Sequence, residues 1–392
     1  MDMRIAIITE SFPPDVNGVA NSVVRVAEHL VARGHEPLVI APAPGLTARG
    51  YPGAFGFPVM RVPSVPLPAY KGFRLGLPSA KLTTTLRDFA PDLVHLASPV
   101  ALGARGVVLT DQLDLPTVAV YQTDLPAYAR LYRLGIGEAA AWAWLRAVHN
   151  GADRTLAPST STADSLVAQG IRRVWLWQRG VDAVRYHPGK RSDAVRAALA
   201  PGGEIIVGYV GRLAAEKRVD LLAGVARLPG VRLVIVGDGP ARKRLAKALP
   251  GARFVGERHG EQLARLYASL DVFVHTGPHE TFGQTVQEAS ASGVPVVAPA
   301  AGGPLDLVEP GVTGELVPPG DGAALTETIA RLAADPGLRA AYGAAGRTLV
   351  EGRTWAAVGD ELISHYESVL AYRWGRAPAA RPTSTPALAV TA

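Results

Sequence analysis

Short apolar runs, the length of buried strands, alternate with segments of helical period along most of this 392-residue chain. Strands that alternate with helices form parallel sheets with helices packed on both faces. Predicted strands lie at residues 4–9, 35–42, 92–96, 117–121, 204–210, 231–239, 252–256, 271–277 and 295–299. Because the pattern restarts at Glu204, the sequence predicts an α/β fold of two Rossmann-like, doubly wound domains.

The domain boundaries follow from breaks in this pattern. A chain of 392 residues exceeds one ordinary core, and the segment around residues 181–203 interrupts regular structure. We therefore predict domains at 1–185 and 186–354, a last helix at 355–375, and a disordered tail at 376–392. Thr354 is a plausible N-cap for that helix. Its apolar face consists of Trp355, Val358, Leu362, Tyr366, Val369 and Leu370.

Two further segments have no strand-like period. Residues 42–80 are rich in proline and glycine, which predicts a long connection, and long connections in compact domains are often functional. Residues 218–228 read as a helix after the loop GRLAAEK. The turn at residues 237–240, GDGP, is interpreted as structural and not as a phosphate loop.

The chain contains no cysteine, which rules out disulfides, thiolate catalysis and cysteine metal sites. Its start lacks the apolar stretch and cleavage site of a signal peptide. No uninterrupted apolar segment is long enough to span a bilayer. These features lead us to expect a soluble, cytoplasmic protein.

The basic excess lies in the first half of the chain. Residues 1–203 hold 21 Lys and Arg against 15 Asp and Glu, whereas the remainder holds 19 of each. Such an excess suits an anionic membrane surface or an acidic acceptor, and it equally suits plain solubility. Nucleic acid is not an expected partner, because no basic stripe is interleaved with aromatic residues.

The segment at residues 279–304, HETFGQTVQEASASGVPVVAPAAGGP, points most directly to chemistry. Glu280 and Glu288 are separated by seven residues, and Gly283 lets a helix begin tightly between them. A helix start offers free N–H groups and partial positive charge to a phosphate. Carboxylates on either side can accept hydrogen bonds from sugar hydroxyls. This combination predicts a nucleotide-sugar site, although two surface glutamates on a loop and a helix are the structural alternative.

This segment resembles the donor site of retaining, nucleotide-sugar-dependent glycosyltransferases of the GT-B fold, of the family four type. The resemblance runs from Ile5 to about Tyr372 and implies two domains facing a central cleft. It also implies that Glu280 lies beside the donor sugar and Glu288 at the ribose. Arg212 and Lys217, in GRLAAEK, would then stabilise the departing diphosphate.

Other positions carry over from the same resemblance. Gly18 would face the diphosphate, Arg258 would stack on the base, and Phe282, Gly283 and Gln284 would complete the donor loop. Gln122 stands where related mannosyltransferases often carry a histidine. Candidate acceptor-site residues are Gln122, Asp124, His95, Tyr70 and Arg74. Lys71, Tyr128, Arg130 and Arg133 are candidates for acceptor or membrane contact. For His95, a lone histidine at a strand end, a structural role is favoured over one in the cleft.

Metal-independent transfer is expected from the sequence. It contains no D-x-D motif, and none of its histidines shows a metal-ligand spacing. The nucleotide sugar is then a substrate, and no cofactor is expected.

The motifs ESFPPDVNGV, YQTD and HETFGQ–QEA look like those of bacterial lipid-linked alpha-mannosyltransferases, and of enzymes that build sulfolipid from a UDP-sugar. The resemblance implies transfer of a hexose, foremost mannose from GDP-mannose, to a glycolipid or other glycan at the inner membrane face. Alternatives are a UDP-sugar-dependent sulfolipid-like or glucosyl transferase, a nucleotide-sugar epimerase, and a non-catalytic sugar-binding protein.

Overall fold

The computed structural model describes residues 2–15, 17–45, 55–66, 74–77, 79–97, 100–127 and 137–373. Over these residues the chain forms one parallel sheet of seven strands and one of six. Separate hydrophobic clusters pack on the faces of both sheets. The predicted pair of doubly wound α/β domains is confirmed.

The first sheet has the strand order β3-β2-β1-β6-β7-β8-β9. Its strands are β1 Arg4–Ile8, β2 Glu36–Pro42, β3 Val59–Val62, β6 Leu93–Leu96, β7 Thr117–Val120, β8 Arg154–Ala157 and β9 Val174–Leu176. A small antiparallel pair, β4 Ser64–Pro66 and β5 Arg74–Gly76, lies beside it. The helices are α1 Gly18–Ala32, α2 Ala80–Phe89, α3 Ala101–Gln112, α4 Glu138–Gly151 and α5 Thr160–Ala168.

The second sheet has the order β12-β11-β10-β13-β14-β15. Its strands are β10 Ile205–Val210, β11 Val231–Val236, β12 Arg253–Gly256, β13 Val272–Val274, β14 Val296–Pro299 and β15 Gly314–Val317. The helices are α6 Asp193–Leu199, α7 Arg242–Ala248, α8 Gly260–Ala268, α9 Gln284–Ala291, α10 Pro304–Leu307, α11 Gly322–Ala334, α12 Pro336–Glu351 and α13 Trp355–Arg373.

Both sheets have a switch point where the strand order reverses. In the first sheet it lies between β1 and β6, and in the second between β10 and β13. Loops that leave the carboxyl ends of strands at such a point diverge and leave a crevice, which is where doubly wound folds bind ligands. The loops after β10 and β13 carry Lys217 and Glu280, so the topology brings these two residues to one crevice.

The segment at residues 218–228 corrects the predicted α-helix. It forms successive 3₁₀ turns, Val219–Ala223 and Val225–Arg227. The buried residues Val219, Leu222 and Val225 recur every three positions, which is the period of a 3₁₀ helix and not of an α-helix.

The sequence also missed strands at the edges of the first sheet. Residues 42–80 are more than a connection, because β3 inside them pairs with β2. The short strands β8 and β9 were not predicted either, although they extend the opposite side of the sheet. Strands of three or four residues carry too few alternations to stand out in a sequence.

The last helix, α13, belongs to the second half of the chain but packs on the first domain. Leu362, Tyr366 and Val369 lie in one hydrophobic cluster with the first-sheet residues Ile5 and Ile7. At its start, the Thr354 hydroxyl accepts a hydrogen bond from the Ala357 amide at 3.1 Å. The chain therefore crosses between the domains twice, once before residue 186 and once at residue 354.

Leu362→Ala tests the docking of α13. Leu362 is 1% exposed in the first-domain core, so its truncation should lower the free energy of unfolding by about 2–5 kcal/mol. Urea denaturation followed by circular dichroism measures this loss. Ser364→Ala, at an exposed position of the same helix, is the matched control and should change the free energy by no more than about 0.5 kcal/mol. Equal effects of the two variants would contradict the docking of α13.

Candidate active site

A partly buried ion pair joins the two loops at the second switch point. Lys217 Nζ donates to Glu280 Oε2 at 2.6 Å, and His275 Nε2 lies 3.5 Å from the same oxygen. Burial alone would raise the pKa of the Glu280 carboxyl, but the charge of Lys217, aided by His275 and Arg179, holds it below its usual range. Burial opposes the charge of Lys217, yet Glu280 keeps the pKa of that ammonium above its ordinary value. Both groups are therefore ionised at neutral pH.

The backbone around Glu280 is fixed by contacts with both neighbouring loops. The Thr276 hydroxyl donates to the Lys217 carbonyl at 2.5 Å, which joins the two loops directly. On the other side, the Gly303 amide donates to the Glu280 carbonyl at 2.7 Å. A Cβ on Gly303 would lie 1.9 Å from the Phe282 carbonyl oxygen, so only glycine fits this approach. The run of glycines after β14 thus shapes the predicted donor loop.

Glu288 occupies a different environment on helix α9. That helix begins at Gln284, after Gly283 with φ +102°, so Gly283 allows the tight start that the sequence predicted. Burial raises the pKa of the Glu288 carboxyl to about 7, against the opposing effect of the Tyr267 and Tyr186 hydroxyls. The two predicted donor carboxylates, only eight positions apart, therefore have pKa values shifted in opposite directions.

Arg212 lies on the loop after β10. Its carbonyl accepts a hydrogen bond from the buried Tyr209 hydroxyl at 3.1 Å, and its guanidinium lies 3.9 Å from Glu216 Oε1. The turn at residues 237–240 packs directly on this loop. Cβ atoms on its glycines would lie 2.0 Å from the Gly211 carbonyl oxygen and 2.4 Å from that of Leu213. That close packing agrees with the structural interpretation of the turn.

Gly18 opens helix α1 in the first domain. Asn17 caps the helix by accepting from the Val19 and Ala20 amides, each at 3.0 Å. The Gly18 carbonyl accepts from Arg179 at 3.2 Å, and a Cβ at Gly18 would lie 2.9 Å from that guanidinium. Glycine at this position thus lets a buried arginine approach the start of the helix.

Arg179 is one of the site residues that the sequence analysis missed, together with His275, Tyr186 and Tyr267. Arg179 follows β9, is 8% exposed, and also donates to the side-chain oxygen of Gln122. Its charge acts on Glu280 across the cleft. The sequence shows only an arginine before Gly180 at the domain boundary. Because strand β9 was not predicted, nothing indicated that this arginine follows a strand of the first sheet.

Several predicted acceptor-site residues have structural partners. His95 lies under α13, with its Nδ1 2.5 Å from the Tyr366 hydroxyl, and burial lowers its pKa to about 3. The last helix covers the end of β6, so His95 has the structural role that the sequence analysis favoured and does not line the cleft. Asp124 accepts a hydrogen bond from the Ala127 amide at 3.0 Å. Gln122 donates to the Ala97 carbonyl at 2.7 Å and accepts from Arg179.

Other predicted site residues vary in placement. The Phe282 ring is buried in the second-domain core, so Phe282 contributes only its backbone to the donor loop. Gln284 donates to the Gly180 carbonyl at 3.1 Å, and Arg258 is exposed on its loop. Arg74 donates to the Ser64 hydroxyl and carbonyl. The remaining candidates, Tyr70, Lys71, Tyr128, Arg130 and Arg133, lie outside the described residues.

Two further features concern metal binding and membrane insertion. In the described part of the chain, no group of three or more His, Asp or Glu side chains could hold a metal ion. Of the helices described, none is both long and apolar enough to cross a membrane.

Family models match both domains. Residues 16–185 match the family described as Glycosyltransferase Family 4, and residues 191–349 match Glycosyl transferases group 1. The folds of solved glycosyltransferases agree with this assignment. Sucrose-phosphate synthase from Thermosynechococcus elongatus superimposes with a TM-score of 0.79 at 23% identity, over 94% of this chain and all of that one. Anabaena HepE in complex with UDP superimposes with a TM-score of 0.76 at 23% sequence identity, over 93% of this chain and all of that one. The chain belongs to this family of glycosyltransferases and has the GT-B fold.

Curated relatives span nearly the whole chain. A GDP-mannose-dependent alpha-mannosyltransferase of Mycobacterium tuberculosis is 53% identical over 94% of this chain and 97% of its own length. An enzyme of the same name from Corynebacterium glutamicum is 46% identical over 94% of this chain and 90% of its own length. The sulfoquinovosyl transferase SQD2 of Arabidopsis thaliana is 33% identical over 95% of this chain and 74% of its own. Both subgroups that the motifs indicated are thus among its relatives.

Gly303→Ala tests whether the close packing of the Gly303 backbone on the Phe282 carbonyl positions the donor loop. Because the added Cβ overlaps the Phe282 carbonyl, the loop that holds Glu280 must shift, and we expect glycosyl transfer to fall by about 100-fold. The rate is measured by release of nucleotide, with circular dichroism to verify folding. Gly352→Ala is the matched control, since a Cβ there meets no atom within 4 Å. Similar rates in the two variants would show that the loop tolerates the displacement.

Proposed function

We propose that this glycosyltransferase moves mannose from GDP-mannose to a hydroxyl of a glycolipid or other glycan, with retention of configuration and without a metal ion. The observation that carries the proposal is the Lys217–Glu280 pair at the switch point, with Glu288 eight positions further on. The named activity of the mycobacterial and corynebacterial relatives supports the choice of donor. The relationship to a sulfoquinovosyl transferase favours a UDP-sugar as the second candidate.

In the proposed reaction the bond between the sugar C1 and the diphosphate breaks, and the leaving oxygen gains negative charge. Lys217 and Arg212 lie on the loop after β10 and would stabilise that charge in the transition state. Fixed cations of this kind replace a metal ion in the proposal. The donor diphosphate would lie at the start of α9, and Glu288 would accept hydrogen bonds from the ribose hydroxyls.

Retention would come from attack on the same face of the sugar that the diphosphate leaves. The departing phosphate oxygen would take the acceptor proton as the new C1–O bond forms. Glu280 suits neither a general acid nor a free nucleophile, because Lys217 holds it as an ion-paired carboxylate. Its negative charge beside C1 would instead stabilise the positive charge that develops on the sugar.

The acceptor would enter from the first domain. The basic excess of residues 1–203 suits an acceptor at an anionic membrane surface, and the protein would then act as a cytoplasmic, peripheral enzyme. Glycolipid acceptors present their hydroxyls at such a surface.

A ligand screen tests the donor. Thermal shifts are recorded with GDP, UDP, ADP and their hexose conjugates, and a ligand that binds the folded state raises the melting temperature. We expect stabilisation by GDP and GDP-mannose, followed by release of GDP when acceptor glycolipid is added. Preference for UDP ligands would replace mannosyl transfer by the UDP-sugar reaction. Conversion of the donor to a new sugar without acceptor would instead indicate an epimerase.

The role of Glu288 gives a pH dependence. Its carboxyl has a pKa of about 7 in the free protein, and only the ionised form can accept from both ribose hydroxyls. GDP affinity should therefore be constant above pH 7 and fall by up to about tenfold per pH unit below it. Calorimetry from pH 5.5 to about 8.5 measures this slope.

Glu288→Gln should bind GDP more weakly at pH 8 and lose most of the pH dependence. Glu309→Gln, at an exposed position of the same domain, is the control and should keep the wild-type slope. A wild-type slope in Glu288→Gln would assign the pH dependence to another group.

A further inference from the structure

Arg179 lies where the chain first crosses between the domains. Trp177, two residues earlier, is buried in the first-domain core and donates from its indole nitrogen to the Val358 carbonyl at 2.9 Å. Gly180, directly after it, packs on the returning chain, since a Cβ there would lie 2.6 Å from the Trp355 backbone. The backbone of Arg179 is therefore held on both sides by the second crossing.

The guanidinium of Arg179 spans two loops of the first domain. One nitrogen donates to the Gly18 carbonyl at 3.2 Å, at the start of α1, and another donates to the Gln122 side chain after β7. Gln122 in turn donates to the Ala97 carbonyl at 2.7 Å, after β6. A planar fork with several donors can fix such a geometry, whereas a single ammonium cannot.

The main chain at the same place holds the donor helix of the second domain. Gln287 donates to the Arg179 carbonyl and Gln284 to the Gly180 carbonyl, each at 3.1 Å. Both glutamines lie on α9, the helix that also carries Glu288. Arg179 is thus the point where the cleft loops of one domain and the donor helix of the other meet.

The charge of Arg179 lacks a close counterion. Among the described residues, no carboxylate lies within 4.0 Å of its guanidinium. The two acceptors of its hydrogen bonds, the Gly18 carbonyl and the Gln122 side-chain oxygen, are neutral. A buried cation without a paired anion is costly. The acidic group that acts on it is Glu280. Glu280 also faces Lys217 from the loop after β10, His275 from the end of β13, and the Tyr209 hydroxyl.

We propose that Arg179 is a positioning residue of the transfer site, which holds the start of α1 and the Gln122 loop against the domain crossing and directs its charge at Glu280. It would serve the transfer reaction proposed above, on which this role rests. It acts through Gly18, Gln122 and Glu280, and not by contact with the donor.

The test compares Arg179→Met with Arg347→Met. Arg347 is the control, because it is a half-buried arginine near the crossing that donates to the carbonyls of Ala183, Tyr186 and Ala291. Unlike Arg179, it has a carboxylate nearby, that of Glu351 at 3.8 Å. The carboxyl carbon of Glu280 is titrated by NMR in ¹³C-glutamate-labelled full-length protein, with Glu280→Gln to assign the signal. The kcat and donor KM are measured with GDP-mannose and the acceptor glycolipid.

Arg179→Met should raise the titration midpoint of Glu280 and lower kcat at least about tenfold, with donor KM changed by less than about twofold. Arg179→Lys should restore the Glu280 titration but leave kcat reduced, because one ammonium cannot span Gly18 and Gln122. Arg347→Met should lower stability alone. The proposal is overturned if Arg179→Met behaves like Arg347→Met, if Arg179→Lys restores kcat in full, or if donor KM rises at constant kcat.

The two proposals fail separately. If the wild-type protein turns over none of the donors, the proposed function fails, while the Glu280 titration still decides whether Arg179 acts on that carboxylate. If the wild-type protein is active and the titration of Glu280 is the same in Arg179→Met, only the role of Arg179 is lost.

Discussion

The ion pair between Lys217 and Glu280 is the interaction on which the donor side of the cleft depends. Two charges withdrawn from water are stabilised only by close, well-aligned contact, and the 2.6 Å approach supplies it. The loops after β10 and β13 must therefore keep their relative positions, and they do so through the Thr276 hydroxyl on the Lys217 carbonyl. Because β10 and β13 pair side by side in the sheet, this register is set by the core and not by the loops.

The other side of the cleft depends on the two chain crossings. Gly180 on the outgoing chain packs on the backbone of Trp355 on the returning chain, and α13 then buries Tyr366 against His95. The relative position of the domains is thus tied to the same few residues that place Arg179. A change at the crossing would reach both Gly18 and Glu280, since Arg179 donates to the Gly18 carbonyl and its charge interacts with that of Glu280.

Local patterns were enough to predict the two-domain α/β fold, because the longer apolar strands stand out in the sequence. The family resemblance placed Lys217 and Glu280 in one donor site, but the ion pair between them was not predicted. The site features that the sequence did not predict depend on contacts between residues far apart in the chain. The structural partner of His95 is Tyr366, 271 positions later, which covers it. Arg179 has no local signal, since its importance comes from Gly18 and Gln122 on separate loops. The 3₁₀ turns at residues 219–227 were hidden because a three-residue period in a short segment resembles a helix.

Glu280 and Glu288 show how one short segment can shift the pKa values of two carboxyls in opposite directions. The carboxylate of Glu280 is surrounded by Lys217, His275 and Arg179, so it stays ionised despite burial. Glu288 has the Tyr267 and Tyr186 hydroxyls beside it and Arg185 as its cation, and burial prevails there. Environments that separate two pKa values assign different roles to chemically identical groups. The lasting negative charge of Glu280 suits a place where positive charge develops on the sugar. The Glu288 carboxyl, which ionises near pH 7, suits a place where ligand hydroxyls replace water.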